Sequence, residues 1–169
     1  MVSKRARVAI GSLALSASAL VGLAVSEGYS DRAIIPTKGD VPTVGFGLTV
    51  NPDGSRVKMG DTTNPVQALQ RKLDYIQRDE GKIRQCVTAP LHQAEYDLYL
   101  DLAYNIGIGG FCGSTIVKRL NAGDYAGACN AILSWRFAAG YDCSTPGNRR
   151  CWGLWQRRLD SHAKCMAAQ

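Results

Sequence analysis

The 169-residue sequence contains no Cys-x-x-Cys pair, and its two histidines, His92 and His162, stand alone. A structural or catalytic zinc site needs ligands at close, repeated spacing, so no metal site is expected. There is no low-complexity tract and no repeat period, which excludes solenoid and linker-like organisation. No nucleic-acid motif occurs, and the Lys and Arg residues are spread along the chain. The formal net charge of +6 therefore suits an anionic wall polymer or a membrane better than nucleic acid, and simple solubility accounts for it as well. Charge is missing altogether from residues 8–26, a run of 19. Cysteine is missing from everything before Cys86.

What is present fits one compact domain with a real core. The six cysteines, Cys86, Cys112, Cys129, Cys143, Cys151 and Cys165, are an even set, which in a small exported domain reads as disulfides. Fifteen pairings are possible. Cys143 and Cys151 bracket one Gly/Pro-bearing loop, so a local bridge is expected. Cys112 and Cys129 lie in two successive short helices that should fold back on each other. That leaves Cys86 with Cys165.

The charge-free run follows a basic start of Lys4, Arg5 and Arg7. Its length is close to the minimum for a membrane-spanning helix, and the positive flank predicts a single pass with the N-terminus in the cytoplasm. Eleven of its residues are Ala, Gly or Ser and only eight are Val, Ile or Leu. Such a helix gains little from lipid and could leave the bilayer. The competing reading is a signal peptide cleaved after Ala24-Val25-Ser26.

Beyond Gly28, a good helix stop, residues 41–50 hold β-formers broken by glycines. Asn51-Pro52-Asp53-Gly54 is a turn signal, and residues 56–59 could return as a second strand. Asn64 and Pro65 then open a helix with Val66, Leu69, Leu73, Ile76 and Ile83 at helical spacing. Leu91, Ala94, Leu98, Leu102 and Ile106 mark a second, ending at Gly107. Ser114 caps a third carrying Ile116, Val117 and Leu120; Asp124 caps a fourth with Ala128, Ile132 and Leu133. A loop over 140–148 precedes a last helix with Leu154, Leu159 and Ala163. The expected class is α+β and mainly helical: an N-terminal apolar helix, a small β-hairpin lobe, then a helical lobe.

The candidates for chemistry are Glu27, Asp31, Asp40 and Thr43. Cleaving a glycosidic bond needs a protonated carboxyl group and usually a second carboxylate. Glu27 ends the apolar segment. Partial burial and the negative end of a helix both disfavour an ionised carboxylate, which suits a general acid. From physics alone a surface Glu at a helix end is the better reading.

The run Glu27-Gly28 followed by Pro42-Thr43-Val44-Gly45-Phe46-Gly47 resembles the phage lysozyme family, glycoside hydrolase family 24. So do Pro90-Leu91-His92-Gln93-Ala94-Glu95-Tyr96-Asp97 and Leu102-Ala103-Tyr104-Asn105-Ile106-Gly107. Phe111-Cys112-Gly113-Ser114-Thr115, Lys118-Arg119-Leu120-Asn121-Ala122-Gly123-Asp124-Tyr125, Trp135 and Gly153-Leu154-Trp155-Gln156-Arg157-Arg158 complete the likeness. The family pattern is Glu, then Asp after eight intervening residues, then Thr after five more. Glu27 and Thr43 fit the outer positions with one extra residue between them. The middle position departs: counting reaches Pro36 or Thr37, neither a carboxylate. Asp40, three residues before Thr43, is the preferred substitute; Asp31, or no second carboxylate at all, remain open.

The resemblance implies a lysozyme-like fold and hydrolysis of the bond between N-acetylmuramic acid and N-acetylglucosamine in peptidoglycan, with no cofactor. Glu27 would be the acid, Asp40 the second carboxylate and Thr43 a holder of water. Asn105 would contact glycan or order the cleft, and Arg157 and Arg158 would be structural. The weak apolar run looks like the signal-anchor-release segment of one branch of these endolysins. Residues 1–26 would then hold an inactive monomer at the host inner membrane, and 27–169 would be the muramidase domain released to the periplasm. Two rivals remain at this point: a lytic transglycosylase on a similar fold, which needs one acid only, and a non-catalytic, membrane-tethered wall-binding protein.

Overall fold

The computed structural model describes residues 6–36 and 39–169. Two compact units divide the chain: residues 16–78, and residues up to 15 together with 79–169. Helix α2 (Pro65–Cys86) contributes to both, the division falling after Arg78.

The unit of residues 16–78 opens with helix α1 (Ala17–Glu27). The Ser16 hydroxyl accepts the Ala19 N–H at 3.1 Å, which satisfies one of the unpaired donors of the first turn. Gly28 ends the helix at φ 71°, a left-handed conformation that glycine adopts without penalty. Strand β1 (Ser30–Ile34) pairs antiparallel with β2 (Thr43–Gly45), Ser30 opposite Gly45 and Ile34 opposite Thr43. Ala33, Val44 and Val57 form a small buried cluster. The β-hairpin expected over 41–59 survives only as isolated bridges, Val44 with Leu48 and Val50 with Arg56. Gly45 and Gly47, at φ 65° and 72°, turn the chain in the middle of the run read as a strand. The strand actually used, Ser30–Ile34, hid in a polar stretch with one buried residue, Ala33.

Helix α2 forms where expected: the Asn64 side chain accepts the Gln67 N–H at 2.9 Å. Its buried face in the first half differs from the periodicity. Ala68 and Lys72 are fully buried, whereas Val66 and Leu69 are exposed. The cause is the close approach of Gly45: a Cβ there would stand 2.8 Å from the Ala68 Cβ, so only small residues fit at both positions.

The other unit is helical. It holds α3 (Gln93–Ile106), α4 (Ile108–Cys112), α5 (Thr115–Asn121), α6 (Tyr125–Ala131) and α7 (Trp152–Ala167), plus a two-residue hairpin of β3 (Phe137–Ala138) and β4 (Tyr141–Asp142). Helix α3 packs on α4 and α7, α5 on α6, and α6 on α7. Leu100, Leu102, Ile116, Leu120 and Ile132 are buried, and the Tyr99 and Phe111 rings meet at 6.0 Å. The caps behave as read from the sequence. Ser114 accepts the Val117 N–H at 3.4 Å, Asp124 the Gly127 N–H at 2.9 Å, and Gly107 ends α3 at φ 82°.

Two expectations are corrected. The disulfides are Cys86–Cys112, Cys129–Cys165 and Cys143–Cys151, with Cα separations of 5.6, 5.5 and 5.1 Å. Only the local Cys143–Cys151 pair matches; Cys86–Cys165 and Cys112–Cys129 do not form. The packing of α6 on α7 sets the fully buried Cys129 against Cys165. Cys86 and Cys112, the last residues of α2 and α4, are left to bridge. The apolar run of residues 8–26 is also not one helix. Val8 makes a β-bridge with Leu91, Ile10–Ser12 form a single 3-10 turn, and the helix proper is α1, 11 residues long. Among the described residues no helix is long and apolar enough to cross a membrane.

Candidate active site

Glu27, Asp31, Asp40 and Thr43 all fall within the unit of residues 16–78. Glu27 is the last residue of α1 and is exposed, so the partial burial expected for it is not found. Its carboxylate lies against the backbone of Gly47. A Cβ added there would stand 2.7 Å from Glu27 Oε2 and 3.6 Å from its Cδ. Gly47 is thus fixed twice, by its positive φ and by the acid above it.

The loop beneath Glu27 is a tight return. Val44 and Leu48 exchange backbone hydrogen bonds of 3.0 and 3.1 Å, and the three residues between them, Gly45-Phe46-Gly47, form its tip. Helix α2 holds this tip at two points one turn apart. Ala68 meets Gly45, and the fully buried Lys72 donates its ammonium to the Phe46 carbonyl at 3.2 Å. The Phe46 ring meets Tyr29, two residues beyond Glu27, at 5.3 Å between centroids. The acid is therefore flanked on both sides: helix α1 runs up to it, and the Tyr29–Phe46 contact follows it.

Thr43 is half-buried and opens β2 opposite Ile34, leading directly into the Gly45–Gly47 tip. Asp40 is exposed in the β1–β2 connection, and its Oδ1 accepts the N–H of Val41 at 2.8 Å. Of the two positions reached by counting, Pro36 is described and Thr37 lies outside the described residues. Asp31 sits in β1, exposed, and its carbonyl accepts the Thr63 N–H at 2.9 Å. Asn105 belongs to the other unit. Its side-chain oxygen accepts a hydrogen bond from the buried Arg158 guanidinium, whose Nε donates to the Trp135 carbonyl at 2.9 Å. Burial, then the neighbouring Arg157, lower the Arg158 pKa. Arg157 pairs with Asp101 at 2.9 Å. Both arginines thus make structural contacts.

A cavity of about 320 Å³ is lined by Val41, Pro42, Thr49, Val50, Arg56 and Val57. Arg71 of α2 donates to the Val50 carbonyl at 2.9 Å. Asp61 closes the neighbouring turn, accepting the Lys58 N–H and the Asn51 amide, each at 3.0 Å. These bonds, the Lys58 N–H first, hold the Asp61 carboxyl below its usual range. No group of three or more His, Cys, Asp or Glu side chains that could hold a metal ion occurs among the described residues.

Sequence reasoning missed the supporting parts of this site. Gly45 and Gly47 were visible only as a motif, and nothing in the pattern marked Lys72, a lysine on a buried helix face.

A profile of the phage lysozyme family matches residues 24–161. An endolysin of Salmonella phage P22 is 33% identical over 124 residues, covering 73% of this chain and 84% of that protein. A SAR-endolysin of Enterobacteria phage P21 is 26% identical over 164 residues, covering 94% of this chain and 90% of that protein. The solved structure of an endolysin from Escherichia coli O157:H7 phage FAHEc1 superimposes with a TM-score of 0.78 at 28% identity. It covers 94% of this chain and 97% of that one.

Proposed function

The chain belongs to the phage lysozyme family, and from that premise we propose how it performs its reaction and where. It is a lysozyme-type glycoside hydrolase that degrades peptidoglycan, an endolysin. The bond cut is that between N-acetylmuramic acid and N-acetylglucosamine. Glu27 gives its proton to the leaving glycosidic oxygen, Asp40 stabilises the positive charge that develops on the sugar or polarises the attacking water, and Thr43 holds that water. Water adds to the sugar carbon and the proton passed to the leaving oxygen is replaced from it. The observation that carries this reading is the Glu27 carboxylate seated on Gly47, with the Gly45–Gly47 tip braced by Ala68 and Lys72. A positioned acid is what general acid catalysis requires. Asn105, whose side-chain oxygen accepts from Arg158, contacts glycan or orders the cleft.

Localisation follows from the N-terminal segment. Residues 8–26 hold the new protein at the host inner membrane as a single pass with the N-terminus in the cytoplasm, and the monomer is later released to the periplasm. The likeness to the phage P21 SAR-endolysin over 94% of this chain supports this, as does the Ala/Gly/Ser-rich, charge-free composition. The folded form described above corresponds to the released enzyme. The test of catalysis is Glu27→Gln: the amide keeps the shape and cannot donate the proton, so lysis of wall suspensions should fall about 100-fold or more with an unchanged melting temperature. Near wild-type lysis by the folded variant removes Glu27 from the mechanism.

A further inference from the structure

The first described residues of the chain are gripped by two buried carboxylates within their own unit. Glu95, near the start of α3, is fully buried. It accepts from Arg7 Nε at 3.0 Å and Arg7 Nη2 at 2.8 Å, from Gln169 Nε2 at 2.9 Å, and from the His92 N–H at 2.8 Å. The Arg7 guanidinium also lies 3.6 Å from the centroid of the Tyr125 ring and donates to Gln169 Oε1 at 2.7 Å. Burial alone would raise the Glu95 carboxyl; the bonds from Arg7, His92 and Gln169 overcome it and hold the group below its ordinary value. From Arg7 onward the segment is stitched down. Val8 and Leu91 exchange backbone bonds of 2.9 Å each, and Ile10 and Leu13 are buried. Arg84 donates to the Leu13 carbonyl and Gln93 to the Ala14 carbonyl, both at 2.7 Å. The Leu15 N–H donates to Glu80 Oε1 at 2.8 Å, and buried Glu80 also accepts the Tyr96 hydroxyl at 2.8 Å.

A buried carboxylate that loses its cation is strongly destabilising. While residues 8–26 span a bilayer, Arg7 stands on the cytoplasmic side of the run and Glu95 on the exported side, so the pair cannot form. We propose that Glu95, with Tyr125 and Gln169, is a receptor for the Arg7 guanidinium, a latch that captures the N-terminal segment as it leaves the membrane and opposes its return. This rests on the reading of residues 8–26 as a releasable anchor. Arg7 then has two successive partners: the cytoplasmic face before release and Glu95 after it.

The test separates the latch from charge count. In Ala6→Lys/Arg7→Gln the number of positive charges ahead of the run is kept, but the guanidinium that reaches Glu95 is gone, and no core residue is altered. Cells making the full chain are depolarised with a protonophore and the soluble fraction is measured. The double variant, like Arg7→Gln alone, should release at least tenfold less protein than the parent. Release equal to the parent overturns the latch. A parent that is already soluble before depolarisation overturns the anchor reading instead. In purified soluble protein, amide hydrogen exchange at Val8 and Leu15 should quicken tenfold or more in the double variant; unchanged protection also overturns the latch.

Discussion

Replacing Gly47 by Ala is a direct probe of the acid's seat. The new Cβ would stand 2.7 Å from Glu27 Oε2, and ordinary contact begins near 3.4 Å, so the carboxylate must retreat by about 0.7 Å. The obstructing atom is the far end of a flexible side chain, so the protein can yield there at little steric cost. What it cannot avoid is an alanine at φ 72°, which costs roughly 1–2 kcal/mol. At roughly 2–4 °C per kcal/mol for a chain of this size, the melting temperature should fall by about 2–8 °C. Activity should suffer more, because a misplacement near 1 Å costs about 100-fold; a loss of about 10- to 100-fold in wall lysis is expected, mainly in kcat. Gly45→Ala is the control. It has a similar φ, 65°, but its Cβ meets the Ala68 Cβ at 2.8 Å, which cannot swing aside, and overpacking adds about 1–3 kcal/mol. Gly45→Ala should therefore lower the melting temperature further than Gly47→Ala. Both are measured by thermal unfolding and by turbidity loss of cell-wall suspensions with purified protein. A folded Gly47→Ala enzyme that lyses at the parent rate would refute the seat.

Asp40→Asn should slow lysis far more than Asp31→Asn, because Asp40 lies in the connection leading to Thr43 while Asp31 lies within β1; the reverse order would move the second carboxylate to Asp31. Acid should loosen the N-terminal segment. The Glu95 carboxyl is held low in the folded protein, so its contribution is complete above the ordinary glutamate range, near pH ~4.3. It is lost as pH falls through the lower folded-state value. Between about pH 6 and pH 3, where carboxylates titrate, melting temperatures should fall more steeply for the parent than for Glu95→Gln; equal slopes would mean that Glu95 is not held low by its partners.

What could be read from the sequence was local. Gly28, Gly107, Ser114 and Asp124 end or cap helices as expected because each acts on backbone groups within a few residues. The catalytic candidates Glu27 and Thr43 were legible through motif order, and the floor beneath Glu27 was not, since its demand for glycine comes from an acid 20 residues away in the chain. The disulfide partners depended on helix packing, α6 on α7, which no cysteine spacing reveals. The apolar run was expected to be one helix because its 19 charge-free residues match the length of a membrane-spanning helix. In the folded protein Leu91, Arg84 and Glu80 claim the backbone groups of Val8, Leu13 and Leu15, and the helix begins only at Ala17. A segment that composition suits to lipid is thus kept from forming one continuous helix by tertiary hydrogen bonds.

The most direct measurement of the central claim is the chemistry of the new chain ends made from purified peptidoglycan. Hydrolysis with Glu27 as the acid predicts reducing N-acetylmuramic acid ends, borohydride-sensitive and appearing in step with turbidity loss, with none produced by Glu27→Gln. Anhydro-muramic ends would mean that no water is added and that the enzyme is a transglycosylase; wall binding with no new ends from the parent protein would contradict catalysis itself.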